Sequence, residues 1–268
     1  MGVERIAWDA LSVRTRTAVH ALTGRIHSAR PVEGGHHSAL AVHLDTTDGP
    51  VFVKGIRADH PLASAQRREA RIGESLAGVG PRVLWQLLVD GWDLVGFEFV
   101  HGRHAQYHEH SRDLNLLADT LTVLANLPLP AAEVPSAATR WAVRPEDTDL
   151  RAALQGHTLC HADFNPENIL VTPDRLVLVD WGWAVRGPAW LDPALVVIRL
   201  IATGGQTPPT AQSWAMRMPA WRGVPDRVIT DFAKAEARLW DDIAERRPEP
   251  WSRALADAAH AWVAHRMS

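Results

Sequence analysis

Apolar and polar positions divide this chain into two parts with different periods. "WDALSVRTRTAVHAL" (8–22) has the composition and length of a helix. After Gly24 the period shortens, and "RIHSARPVEGGHHSALAVHLDTTDGPVFVKGI" (25–56) reads as three short strands. A Gly34-Gly35 turn joins the first two, and an Asp48-Gly49 turn joins the next two. A helix is predicted over about 61–77, opened by Pro61 and closed near Gly78. Two more strands follow, "RVLWQLLVD" (82–90) and "WDLVGFEFV" (92–100), turning at Asp90-Gly91. Five strands with one helix between the third and fourth make a small α+β lobe.

Beyond residue 102 the pattern becomes mainly helical. "SRDLNLLADTLTVLANL" (111–127) places apolar residues at helical spacing. Residues 128–146 are rich in Pro and Ala and read as a loop. Residues 157–182 hold a polar stretch and a short hairpin that turns at "TPDR" (172–175). Helices follow at about 193–203, 225–247 and 250–266. The break falls at "FVHG" (99–102), which gives an N-terminal lobe over 1–100 and a C-terminal lobe over 101–268.

Composition narrows the possibilities. The 268 residues carry a net charge of −3, so no basic field invites nucleic acid. No apolar stretch is long enough to read as a membrane span. The start, "MGVERIAWDA", has no apolar segment of the secretory kind. A single cysteine, Cys160, rules out an internal disulfide and reads as a small buried residue. A cytoplasmic protein without an obligate protein partner is expected. Positive charge comes almost entirely from Arg. Lysine occurs at Lys54 and Lys234 alone, so the lysine in "VFVKGI" stands out. Lys is a compact charge on a flexible stem, where Arg is a rigid fork.

In the helix 61–77, Leu62, Ala65, Glu69, Ile72 and Leu76 share one face. Glu69 therefore sits in an apolar stripe, while Arg67, Arg71 and Glu74 lie on other faces and can be solvated. A buried carboxylate needs a cation or several donors. Lys54, on the preceding strand, is the candidate partner. A Lys–Glu pair in this strand–helix order is an arrangement that orients a lysine on nucleotide phosphates. "EGGHHSAL" (33–40) could bring backbone N–H groups and the Ser38 hydroxyl to phosphate, or be an ordinary hairpin turn.

The stretch "HADFNPENIL" (161–170) is too polar and too punctuated by Pro to be core, and "VLVDWG" (177–182) ends an apolar run in a second Asp. Phosphoryl transfer needs a carboxylate beside the nucleophilic hydroxyl and hard oxygen ligands for Mg²⁺. Asp163 fits the first role, and Asn168 and Asp180 fit the second. Trp181 and Trp183 flank Asp180 and read equally well as pocket lining or as core. "HGRHAQYHEH" (101–110) holds four His, which read as a solvated helix surface rather than a metal site.

The order Lys54, Glu69, His161-x-Asp163-x4-Asn168, Asp180-x-Gly182 resembles the protein-kinase-like fold. His-x-Asp without Arg, and Asp-Trp-Gly soon followed by "GPAWLDPA" (187–194), resemble the aminoglycoside phosphotransferase family of small-molecule kinases. The resemblance implies a two-lobed α+β fold and ATP or GTP as co-substrate with Mg²⁺. It implies Asp163 as catalytic base, Asn168 and Asp180 as metal ligands, and Lys54, paired with Glu69, on the phosphates. The backbone of Glu98 and Val100 in "FEFV" (97–100) would face the base. His161 would brace the loop, and Asp192 would hydrogen-bond it from below. Nine residues separate Gly182 from Asp192, too few for the activation loop of a protein kinase, so a small-molecule acceptor is implied. From residue 201 on, acids and bases nearly balance, although Asp231, Glu236, Asp241 and Asp242 could cluster. An aminoglycoside acceptor, a neutral sugar, an amino alcohol and another metabolite all stay open. So does a non-catalytic nucleotide-binding module.

Overall fold

The computed structural model describes residues 3–33 and 38–268. The Gly34-Gly35 turn lies outside the described residues. The chain forms two compact units. Unit 1 runs to Gly102 and also takes Val177–Gly182, and unit 2 comprises Arg103–Leu176 and Trp183–Ser268. The sequence reading gave everything after residue 100 to the second lobe. The Asp180 segment instead belongs with the first, because Leu178 N–H donates to Val79 C=O at 2.8 Å and the Trp181 indole packs beside Gly80.

In unit 1, a short 3-10 turn (Trp8–Ala10) precedes α1 (Val13–Thr23). The single helix expected over 8–22 is split because Ser12 takes an extended backbone and its hydroxyl caps Thr15 N–H. β1 (Ile26–Pro31), β2 (Leu40–Thr46), β3 (Val51–Arg57), β4 (Val83–Val89) and β5 (Trp92–Glu98) form an antiparallel sheet in the order β1-β2-β3-β5-β4. Strand alternation sorts the two faces. Leu40, Val42, Leu44, Val51 and Val53 pack with Trp8, Leu11 and Val19. Phe52, Val95 and Phe97 pack with Ala70 of α2 (Ala63–Gly73) on the other face. Lys54 stands on that second face, opposite Ala41 and Val95 in register.

The helix α2 is shorter at both ends than its apolar stripe suggested. The chain after Gly73 must turn, and Ala77 (φ 41°) and Gly78 (φ 86°) adopt left-handed backbone there. Glu69 is buried as the stripe required. Arg67, on another face and partly exposed as expected, donates in addition to the buried Asp93 carboxylate at 2.8 Å, where Gln86 donates as well.

Unit 2 begins with β6 (Arg103–His104), which pairs with β8 (Ile169–Val171). The segment 101–110 is not the expected helix. Its histidines 101, 104, 108 and 110 are exposed, while Tyr107 turns inward. α3 (Asp113–Leu124) follows. The Pro- and Ala-rich stretch after it, expected as loop, contains the single turn α4 (Ala138–Trp141), and α5 (Thr148–Ala153) comes next. β7 (Thr158–Cys160) pairs antiparallel with β10 (Val185–Gly187), and β9 (Leu176–Leu178) follows the turn at Thr172–Arg175. α6 (Leu191–Ala202) is buried over most of its length and packs on α7 (Pro208–Met216) and α9 (Pro250–Met267), while α8 (Asp226–Arg246) lies along α9. α7 went unread because "TPPT" looks like a breaker. A proline at a helix start loses no hydrogen bond, and the Thr207 hydroxyl caps Thr210 N–H.

The Trp85 ring fixes the close packing of β4 on β5. A Cβ at Gly96 would stand 2.3 Å from Trp85 Cε2. Gly96→Ala is expected to cost about 1–3 kcal/mol by overpacking, read as a lower urea midpoint at unchanged slope.

Candidate active site

Unit 1 gathers a buried ion cluster. Lys54 Nζ lies 2.9 and 3.0 Å from the two Glu69 oxygens and 2.8 Å from Asp180 Oδ1. Glu69 Oε1 also accepts Trp181 N–H at 3.2 Å, so the α2 carboxylate anchors the Asp180 segment as well as the lysine. Burial alone would lower the Lys54 pKa. The Asp180 and Glu69 carboxylates outweigh it and hold the pKa above its ordinary value, so the ammonium stays charged. Two carboxylates meet one ammonium here, and Arg5 is close enough to act on Asp180 through space as a second cation. Asp180 itself is held at φ 66°, a left-handed backbone that is uncommon without glycine and recurs at functional sites. Trp181 is 1% exposed and donates its indole N–H to Leu178 C=O, which makes it core.

Elsewhere in unit 1, Ser38 is buried just ahead of β2, with no acceptor among the described residues. Glu98 closes β5. Its backbone N–H donates to Arg82 C=O at 2.9 Å, and its carboxylate meets the exposed Arg82 side chain at 2.8 Å. Val100, half-buried, follows in irregular chain.

Unit 2 holds the polar loop. Asp192, at the start of α6, accepts His161 N–H at 2.8 Å on one oxygen and Ala162 N–H at 3.1 Å on the other. Those two bonds fix Ala162 at φ 64°. His161 is fully buried, and its Nδ1 accepts Asp163 N–H at 3.3 Å, so the proton of the neutral ring is on Nε2. The loop thereby presents Asp163 at its turn. Asn168 Nδ2 donates to Asp163 Oδ2 at 3.0 Å, and Arg199 Nη2 of α6 lies 3.1 Å from Oδ1. One carboxylate is thus aimed by an amide and a guanidinium. Tyr107 supports the loop through its hydroxyl, which donates to Phe164 C=O at 3.0 Å. Gln206 in turn donates to Tyr107 C=O at 2.7 Å.

Sequence reasoning did not find Arg199 or Tyr107. Tyr107 carried one signal, as the only tyrosine in the chain. Arg199 lies 36 residues from Asp163 in an apolar helix, where an interior Arg is the only sign. The possible cluster of Asp231, Glu236, Asp241 and Asp242 does not form. Glu236 faces inward at 2% exposure, whereas Asp231 and Asp242 meet Lys234 and Arg246 at the surface and Asp241 meets the His260 ring. Helix geometry sets these faces apart. Trp183, 41% exposed, lies over Arg140 and is not core.

Among the described residues no group of three or more His, Cys, Asp or Glu is arranged to hold a metal. The Asn168 and Asp180 oxygens are of the hard kind Mg²⁺ takes. Asn168 spends its amide N–H on Asp163, which leaves its Oδ1 as an acceptor, and Asp180 brings a second carboxylate to Lys54 beside Glu69. The donor chemistry therefore fits a divalent cation.

The sequence model of the phosphotransferase enzyme family, abbreviated APH, matches residues 108–226. Solved structures give the fold over more than nine-tenths of the chain. Choline kinase LicA from Streptococcus pneumoniae superposes with a TM-score of 0.61 at 15% identity, covering 94% of this chain and 98% of that one. An aminoglycoside phosphotransferase from Alicyclobacillus acidocaldarius gives 0.57 at 16% identity, covering 93% and 94%. A thermostable mutant of aminoglycoside phosphotransferase APH(4)-Ia in ternary complex with ADP and hygromycin B gives 0.55 at 10% identity, covering 91% and 97%. No curated protein matches the chain in sequence. The chain has the protein-kinase-like fold of aminoglycoside phosphotransferases and choline kinases. The family match, over residues 108–226, lies within the part of the chain that carries Asp163, Asn168 and Asp180. No helix among the described residues is long and apolar enough to cross a membrane.

Burial pushes the Asp192 pKa up to about 7, against the pull of the two backbone N–H bonds. Asp192→Asn presents an N–H₂ to one of those N–H groups, and about 1–3 kcal/mol of stability is expected to go with the unpaired donor. A folded-state pKa above the unfolded one adds stability below about pH 4 that fades as pH rises through about 7. The deficit of the variant, read as a difference in thermal midpoint, should therefore be largest at about pH 4 and below and narrow as pH rises toward 8.

Proposed function

We propose that this protein transfers the γ-phosphoryl group of ATP or GTP to a hydroxyl of a small molecule, either an aminoglycoside-type compound or another small hydroxylated compound. The observation that carries the reading is the Lys54 ammonium, shared between Glu69 and Asp180 on the inner face of the small sheet. A lysine held on two carboxylates is prepared to meet phosphate oxygens, and it would leave Asp180 for them without losing Glu69. Asn168 and Asp180 would hold Mg²⁺, which when bound supplies charge neutralisation on the phosphates. Ser38 and the backbone at Glu98 and Val100 complete the proposed nucleotide contacts.

Asp163 would receive the acceptor's proton as the acceptor oxygen bonds to phosphorus. The bond from phosphorus to the β-bridging oxygen breaks, and nucleoside diphosphate leaves with that electron pair. Transfer of this kind needs orientation more than base strength. The bonds from Asn168 and Arg199 supply orientation at Asp163. His161 and Asp192 would act through the loop rather than on the substrate. A cytoplasmic place and an antibiotic-resistance role belong to the same proposal.

The test is nucleoside diphosphate release with Mg²⁺ and ATP or GTP over a panel of aminoglycosides, sugars, amino alcohols and hydroxy acids. Asp163→Asn keeps the shape of the side chain and is expected to reduce kcat by about 10²–10⁴-fold while nucleotide affinity stays within a few-fold. Near-normal turnover in that variant would sink the mechanism. Nucleotide binding without release for any acceptor would favour a binding module.

A further inference from the structure

Beside Asp163, unit 2 assembles charges that the transfer step does not use. Arg140 closes α4, with its guanidinium 4.7 Å from the Trp141 ring and 5.9 Å from the Trp183 ring. Its hydrogen bond to protein is a long one, from Nη1 to Ala162 C=O at 3.4 Å. No carboxylate among the described residues comes within ion-pair distance of it. Glu236 of α8, the buried acid nearest in charge terms, is already satisfied by the indole N–H groups of Trp141 and of Trp240, the latter at 2.8 Å. Arg199 is taken by Asp163 and lies 5.5 Å from the Trp240 ring.

A guanidinium is weakly hydrated and stacks on indoles, but its five N–H donors want oxygens in a planar fork. Arg140 has its faces covered by tryptophans and most of its donors without an acceptor among the described residues. It is also one residue away from Asp163, through the Ala162 carbonyl. Burial lowers its pKa, while Glu236 and Asp163 act the other way through space. The four charges here, Asp163, Glu236, Arg140 and Arg199, sum to zero, so a polycation gains nothing from this wall. The same two carboxylates make a dianionic phosphate less welcome than a monoanion.

Resting on the kinase reading above, we propose that Arg140 is a specificity-determining residue that holds a carboxylate of the acceptor while a nearby hydroxyl reaches Asp163. The acceptor is then a hydroxy acid rather than a polyamine. Trp183, open to solvent on one side, forms the wall against which the acid's carbon chain lies.

The test uses matched probes that differ in one end group, gluconate, sorbitol and glucamine, with glycerate and glycerol as a shorter pair and hygromycin B as a polycation. Binding is measured by calorimetry with Mg²⁺ and a non-hydrolysable nucleotide, and transfer by diphosphate release. The acids should bind at least tenfold more tightly than their neutral and cationic partners. Arg140→Gln should weaken the acids about tenfold to a hundredfold, the loss of a charge-assisted fork. The neutral partners and the nucleotide KM should stay put. Arg140→Lys, which keeps the charge and the fold, should raise the acid KM while kcat changes little. Equal binding of acid, alcohol and amine, or a preference for acids that survives Arg140→Gln, would overturn the proposal. Transfer to glucamine or hygromycin B without preference for acids would overturn it and leave the kinase reading standing. Arg140-dependent binding of acids with no transfer to any acceptor would support this site and count against the kinase reading.

Discussion

The Asp192 carboxylate, placed under two consecutive backbone N–H groups, is the constraint on which the second unit's chemistry depends. Left-handed backbone at Ala162 is a conformation that a residue with a Cβ resists. Nothing in the Ala side chain compensates. The compensation comes from burying a carboxylate so that both oxygens accept from the loop. Such an acid is costly to desolvate, and burial raises its pKa against the pull of the two backbone N–H bonds. What the arrangement yields is a loop whose turn, and therefore whose Asp163, has one position. Tyr107 adds a second tie at Phe164, from a different stretch of chain.

Unit 1 solves a related problem with opposite charge. Lys54 cannot be buried alone, and one carboxylate would neutralise it. The sheet and α2 supply Lys54 and Glu69, and the returning segment 177–182 supplies Asp180, so the ammonium is held by two carboxylates from different stretches of chain. The positive φ at Asp180 shows that the backbone is bent to place that carboxylate. The same segment explains why the chain boundary and the structural boundary differ. Residues 177–182 follow the second unit in sequence, but the bond between Leu178 and Val79 and that between Trp181 and Glu69 hold them to the first.

What was legible in the sequence depended on local pattern. Turn residues at fixed places gave the five strands, and the scarcity of lysine pointed at Lys54 before any partner was known. Glu69 showed itself because a single acid interrupts an apolar stripe of period 3.6. Asp163, Asn168 and Asp180 stood out as polar residues adjoining strand-like runs. The unread features are those whose partners are far apart in the chain. Trp141 meets Glu236 across 95 residues and Arg199 meets Asp163 across 36. In each case the local pattern is that of an ordinary helix. The α7 prolines misled for a different reason, since a proline at the first turn and one in the interior look alike until the cap is known. Trp181 and Trp183, two residues apart, had identical claims. The short 3-10 turn between them sends one into the core and leaves the other exposed.

The tryptophans around Asp163 give the final step of the argument. Indoles usually enter a core through their area, and their N–H must still find an acceptor. Trp141 and Trp240 both spend theirs on Glu236, which lets a carboxylate be buried without an ion pair. That use of two neutral donors leaves Arg140 without the ion pair that a nearby buried acid would ordinarily provide. Had Glu236 been placed to neutralise Arg140 directly, the pair would be a closed structural element. Because it is satisfied by indoles instead, the guanidinium keeps its charge and its fork while its flat faces are shielded by Trp141 and Trp183. Charge that is buried, shaped and unspent is what recognition of an anion requires. In the proposed reaction the choice of acceptor falls to such details of the helical unit, because the step at Asp163 would be the same whichever hydroxyl arrived.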